Sequence, residues 1–327
     1  MISAMTPLIW CIDVEPDARL IDRRTPILWE GYEKCIELFR ELRPWLAQVT
    51  GQTPHFSWFF RLDPQVAETY GDASWPLTHY RAELDELLAS GDEVGIHPHA
   101  YRFDETLETW VIDYGDQAWV DHCVRLCFET FHDVLGRRCR SFRFGDVWMN
   151  DPTLHLVEKL GAQFDLTLEP GMSPNPAFYP GDHWTGCFPD LTDVPRTPYR
   201  PSAQDYRQPD QTRRDGILML PLTTTRRQGA VDLAYGLLFR AQYRCAPQAV
   251  TRLNIGTRRI PFRLTADRIL AQSELPYLAI SMRTHMGAPH HAAQRMRRNL
   301  EYLFAHPRAP RFAIMRPDEA ASTLALT

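Results

Sequence analysis

Short apolar runs alternate along the chain with longer stretches of helical period. The run LIWCIDV (Leu8–Val14) stays apolar until acids appear at its end, the pattern of a parallel strand covered on both faces. Residues 31–49 then repeat apolar positions at three- and four-residue steps, which predicts a helix. Aromatic-rich Pro54–Phe60 predicts a second strand. An amphipathic helix is expected over residues 79–91, stopped by Gly91, and a short strand over EVGIH follows it. The same reading predicts a helix over 117–136, a strand over RSFRF (140–144), a helix over 150–161 and a strand over QFDLTL (163–168). Asn150 or Asp151 suits the N-cap of that last helix, Pro152 its first turn and Gly161 its end. A strand in 216–224, a helical region, the strand YLAISM (277–282), a helix over 291–306 and the strand RFAIM (311–315) complete the pattern, ahead of the closing RPDEAAS.

Strand–helix alternation over residues 1–327 predicts one parallel α/β barrel-like domain rather than two. From about 169 to 215 the periodic segments thin out and Pro, Tyr and Arg accumulate. A stretch of that length is expected to be a lid or binding segment, and Trp184, Phe188, Tyr199 and Tyr206 argue against a disordered linker.

Size and charge narrow the possibilities. With 327 residues, 44% of them hydrophobic, the chain can fill a barrel core. A net charge of −5 offers no basic footprint for nucleic acid. The seven cysteines are odd in number and contain no CxxC pair, so a reducing compartment is expected rather than a disulfide framework or structural zinc. The N-terminus lacks a basic, apolar leader, and no run reaches the ~20 apolar residues of a membrane span. A cytoplasmic protein with no membrane span is the expectation; the oligomeric state is not specified.

In parallel barrels the chemistry sits at the carboxyl ends of the strands. Polar residues just past the predicted strands are Asp13, Glu15 and Asp17; His97 and His99; Arg143 and Asp146; and Arg283 and His285. Carboxylates with imidazoles make a hydrolytic zinc site. Each residue also has a plainer role. Asp17 fits best as a cap for the following helix, Arg143 could be a structural ion-pair partner, and His285 could lie in a surface loop. His97 and His99 face one side if the chain stays extended, although two loop histidines could equally bond to backbone. Their joint placement on one rim favours chemistry.

The order of these motifs resembles the polysaccharide deacetylase superfamily (NodB-homology, carbohydrate esterase family 4-like), as a divergent member. CIDVEPD stands at its first motif, GDEVGIHPHAY is similar to its second, and SFRFGDVWMND to its third. GILMLPLTT and LAISMRTHMG are similar to the fourth and fifth, and the tail RRNLEYLFAHPRAPRFAIMRPDEAA to the closing helix and strand. The resemblance implies a distorted (β/α)7 barrel of the polysaccharide deacetylase or glycoside hydrolase-deacetylase type. It also implies metal-dependent hydrolysis of an acetamido or O-acetyl group on a sugar or a surface-polysaccharide precursor. Asp13 would be the general base, Arg143 its holder and His285 the general acid. His97 would bind a divalent metal, zinc foremost, with Glu15 and His99 completing the set. Tyr101, Asp146 and Trp148 are expected to face the carbohydrate.

Two positions depart from the family pattern. Val14 stands where a second acid is usual, and Glu15 could supply that carboxylate. Tyr101 stands where a second histidine is usual, and a phenol with an ordinary pKa of ~10 binds zinc poorly while protonated. Two other readings keep the barrel. One is a metal-independent C–N hydrolase of a small amide or ureide. The other is an inactive carbohydrate-binding protein whose Trp148, Trp184, Tyr199 and Tyr206 stack on sugar faces.

Overall fold

The predicted apolar runs become neighbouring staves of one parallel sheet. The computed structural model describes residues 5–174, 182–243, 248–272, 275–287 and 292–326. In chain order the strands are β1 (Thr6–Val14), β2 (Ser57–Phe60), β3 (Glu93–Ile96), β4 (Ser141–Phe142), β5 (Phe164–Asp165), β6 (Leu218–Met219), β7 (Leu278–Arg283) and β8 (Phe312–Ile314). Their spatial order is β7-β1-β2-β3-β4-β5-β6, with β8 also paired to β1. Leu8 pairs with both Leu278 and Ile314, so β7 and β8 lie on opposite edges of β1. Beyond β6, Leu222 donates its amide to Leu168 and Thr223 donates to Ala279 O of β7. Those two bonds curl the sheet round towards its first stave, giving the expected α/β architecture of the (β/α)7 type.

Alternation along β1 sorts its side chains. Leu8, Trp10, Ile12 and Val14 join the outer core, where Trp10 meets Phe39 of the helix Glu30–Thr50 edge-on at 5.1 Å. Ile9 and Cys11 turn into the barrel with Phe59, Leu166, Leu220, Leu222 and Ala279. Ala320 and Ala321, from the helix Pro317–Thr323, close the floor of that inner cluster. Strands covered on both faces can be almost wholly apolar, which is why the runs stood out in the sequence.

The helices follow their caps. Asp116 accepts from the amides of Ala118 and Trp119 to start Gln117–Leu135, and Gly136 ends that helix with φ 65°. The cap of Asp151–Lys159 is Asn150, which accepts from Thr153, while Asp151 instead accepts from the amide of Tyr206. The helix expected over 79–91 is two, Trp75–His79 and Arg81–Ala89.

A small three-stranded sheet was not anticipated. Tyr101–Asp104 and Thr109–Asp113 form an antiparallel hairpin, and His183–Thr185 runs parallel to its second strand. Residues 175–181 of the 169–215 segment lie outside the described residues, as do the 288–291 end of the THMGAPHH stretch and Cys245. The rest of the 169–215 segment packs on the barrel, with Tyr199 exchanging backbone hydrogen bonds with Met219. Cys11, Cys35, Cys123, Cys127 and Cys139 are buried and free, and Cys187 is exposed and free. No described helix is long and apolar enough to cross a membrane.

Candidate active site

Inward positions at the tops of the staves converge. Asp13 ends the inward row of β1, and its register partner across the sheet is Arg283. Arg143, just past β4, donates from Nε to Asp13 Oδ1 at 2.7 Å and from Nη2 to Oδ2 at 3.4 Å. Its third nitrogen, Nη1, donates to Leu166 O at 2.6 Å, so the guanidinium is anchored on both sides. Burial alone would raise the Asp13 carboxyl, yet Arg143 and His97 outweigh it and hold the group below its ordinary range.

The two histidines continue β3 and are both buried. His97 Nδ1 lies 2.7 Å from Arg143 O, an acceptor only, so Nδ1 carries the proton and the Nε2 lone pair is left open. Burial drives the His97 pKa down to about 4, and at neutral pH the ring is uncharged. His99 Nδ1 lies 3.2 Å from Asp146 Oδ2. The Nε2 atoms of both rings are buried without a hydrogen-bond partner. Glu15 supplies the third donor, and the ligand atoms of Glu15, His97 and His99 all lie within 4.8 Å of one another. Burial would raise Glu15 too, but Arg283 and the imidazoles hold it well below the usual carboxylate range. Arg283 Nε sits 3.0 Å from Glu15 Oε1, and Oε2 faces His99 Nε2 at 3.6 Å.

One carboxylate and two imidazoles whose Nε2 atoms have no hydrogen-bond partner fit a divalent cation of the zinc type. The groups behind the donors fix their aim, as a carboxylate behind a ligating histidine does. Asp146 takes Arg19 Nη1 on Oδ1 at 2.8 Å, and the Tyr114 hydroxyl donates to Oδ2 at 3.2 Å. Burial would raise Asp146, but Arg19 and His99 hold it well below its usual range. Asp146 and Val147 both adopt left-handed backbone, φ 55° and 59°, at a cost of roughly 1–3 kcal/mol each. At Gly145 an added Cβ would stand 2.3 Å from the His99 ring, so only glycine lets the loop approach this closely.

A cavity of about 270 Å³ opens beside this cluster, and Asp13, His97, Arg143, Asp146 and His285 are among its lining residues. His285 sits in the 3-10 turn after β7, a turn tied to the end of β1 by the Thr284 hydroxyl, which donates to Glu15 O at 3.2 Å. Burial lowers the pKa of His285, opposed by the nearby charges of Glu15 and Asp17. Asp17 itself accepts the Gly31 amide at 3.0 Å, the helix-capping role expected of it.

Of the three substrate-facing expectations, Tyr101 and Trp148 are corrected, while Asp146 does reach the cavity wall. Tyr101 is fully buried and is not among the cavity-lining residues; its ring stacks on His99 at 5.2 Å, with the Arg61 guanidinium 5.2 Å from the ring centre. Trp148 lies face to face with Tyr114 at 4.7 Å and is likewise absent from the lining. Asp146 does line the cavity, but Arg19, His99 and Tyr114 occupy both of its oxygens. Trp184, Tyr199 and Tyr206 do not line it either.

Sequence reasoning missed Arg19, Glu169, Arg252 and Asn254, all of which line the cavity. Glu169 and Arg252 pair with each other. Glu169 follows QFDLTL directly, so the rule that located the other rim acids would have found it. Arg252 ends a short ribbon, Thr224–Arg226 paired with Val250–Arg252, and Asn254 lies two residues beyond it; no apolar run marked either.

No family model matches the chain, and no curated protein matches it in sequence. Solved structures do match. A provisionally assigned glycoside hydrolase/deacetylase from Parabacteroides distasonis is 14% identical with a TM-score of 0.51, over 95% of this chain and 70% of that one. A provisionally assigned polysaccharide deacetylase from Mycobacterium smegmatis is 12% identical with a TM-score of 0.49, over 99% and 91%. A family 4 carbohydrate esterase from Streptomyces lividans is 11% identical with a TM-score of 0.30, over 50% and 63%. The Parabacteroides distasonis match, at 14% identity, shows a shared fold alone: the curled parallel barrel of the deacetylase type that the motif order implied.

Proposed function

We propose that this chain is a metal-dependent hydrolase that removes an acyl group, acetyl foremost, from an amino or hydroxyl group of a sugar. The convergence of Glu15, His97 and His99 beside the Asp13–Arg143 pair supports this reading above all else. Bound by those three residues, zinc or a similar divalent cation would polarise an acyl carbonyl and acidify a water. His97 and His99 present bare Nε2 atoms because Arg143 O and Asp146 hold their other nitrogens. Asp13 stays ionised under the Arg143 guanidinium and serves as general base at a fixed position. His285, lining the same cavity, protonates the departing amine or alkoxide. Its lowered pKa makes the imidazolium a stronger acid towards that leaving group, and the protonated fraction falls as pH rises.

A cavity of about 270 Å³ suits one sugar unit better than a length of glycan. β1 pairs both with β7 and with β8, from the far end of the chain, which supports a single catalytic domain over 1–327. Five buried, unpaired cysteines support a reducing, cytoplasmic setting.

Elemental analysis paired with acetate release from N-acetylated sugars tests the reading. Stoichiometric divalent metal with acetate release is expected, and His97→Ala should lose both. Turnover without metal would replace it with the metal-independent C–N hydrolase. Sugar binding with neither metal nor turnover would replace it with the carbohydrate-binding protein.

A further inference from the structure

The helix Gly229–Tyr243 follows the ribbon strand Thr224–Arg226. Between 231 and 238 only Asp232 and Gly236, four residues apart, are turned towards the protein. The remaining positions face outward, with Leu233, Leu237 and Leu238 left 68%, 63% and 72% exposed and Val231 and Tyr235 exposed beside them. Scattered surface leucines are ordinary, but several on successive turns of one helix form a contiguous apolar face.

Charge says what covers that face. Across 226–238 and 248–263 the sequence holds six arginines, of which Arg252 turns to the cavity and pairs with Glu169, leaving five, against one carboxylate, Asp232, in a chain whose net charge is −5. That carboxylate is already engaged by Arg268, 2.5 Å away on the neighbouring helix Arg259–Leu270. Arg227 lies over the Tyr235 ring at 4.3 Å, and Arg226, Arg258 and Arg259 are exposed. An outward apolar helix with a cationic surround complements an anionic bilayer surface: leucines enter the acyl boundary and arginines meet phosphates. A second copy of the chain is a poorer match, because two-fold pairing would set the arginine surround against itself.

We propose that the chain docks peripherally on anionic membranes through Leu233, Leu237 and Leu238 of this helix, with Arg226 and Arg227 beside them. The helix lies on the bilayer and does not cross it. The ribbon that leads into the helix also carries Arg252 to the cavity wall, so the docked face and the cavity belong to connected structure.

Co-sedimentation of the full chain with vesicles tests this, using phosphatidylcholine containing phosphatidylglycerol against phosphatidylcholine alone. Binding to the anionic vesicles, weakened by high salt, is expected. Leu237→Glu with Leu238→Glu should reduce it by about tenfold or more while the circular dichroism spectrum and thermal midpoint hold, since both side chains are exposed. Equal, negligible binding to both vesicle types would overturn the proposal. A wild-type dimer in sedimentation velocity that the double variant dissolves, with vesicles ignored, would assign the face to a second copy instead.

Discussion

Asp13 and Asp165 both end barrel staves and both are almost fully buried, yet burial has opposite outcomes for them. Asp13 receives the two-pronged guanidinium of Arg143 and is held charged. Asp165 receives only the amide and hydroxyl of Thr167, at 3.0 and 2.8 Å, and burial pushes its pKa up to about 7. Neutral donors satisfy its lone pairs without stabilising its charge as a cation does. Asp13 also lines the cavity and Asp165 does not. In this barrel a buried acid becomes a chemical group where it has both a fixed countercharge and an opening; with neither, it is a cost carried by the fold.

The sharpest way to break that contrast is to neutralise each acid. Asp13→Asn should lower turnover by about 10²–10⁴-fold while bound metal stays stoichiometric, measured by acetate release beside elemental analysis. Unchanged turnover would remove Asp13 from the reaction.

Asp165→Asn should leave turnover alone and change stability with pH. The folded state holds the Asp165 proton up to about pH 7, whereas the unfolded chain releases it near 4. The wild type therefore loses stability from this group as pH rises from about 4 to beyond 7, by about 4 kcal/mol in all. His97 works oppositely, since its pKa of about 4 makes acid unfavourable to the fold below about 6.5. Urea unfolding of wild type and variant at pH 5 and pH 8 cancels the His97 contribution in the difference. The variant should gain on the wild type at the higher pH, and equal gaps at both would refute the assignment.

A smaller effect is expected behind the donors. Asp146→Ala frees the His99 ring from its partner and should weaken metal binding by about 10–100-fold, read by competition with a chromophoric chelator. The smallest concerns Tyr101, whose hydroxyl is buried without a partner. Tyr101→Phe should leave KM for the sugar within about twofold, because no hydrogen bond is lost. A large rise in KM would restore it to the substrate surface.

Those corrections show where the sequence was readable. β1 and β7 announced themselves because both faces are covered, and the same strands deliver Asp13, Glu15 and His285. Alternation placed His97 and His99 on one side of the chain, but their role was legible only from joint placement with the rim acids. The hairpin at 101–113 was not, because Arg102, Phe103 and Asp104 are half-buried and give no clean apolar rhythm. The support that Asp146 gives His99 was hidden for a different reason. It depends on a left-handed turn at 146 and 147, and neither residue advertises such a conformation. Arg19 and Arg252 reach the cavity from irregular chain and a three-residue strand, where periodicity carries no information.

The bare backbone at Gly145 has a consequence for descent. A methyl group there would stand where the His99 imidazole stands, so the two positions can drift only as a couple. Once position 99 shrinks, 145 is released to take on bulk. A homologue that has filled 145 is therefore expected to have surrendered that imidazole's seat, and with it one donor of the proposed set, so the change can be read from a residue that is not itself a donor.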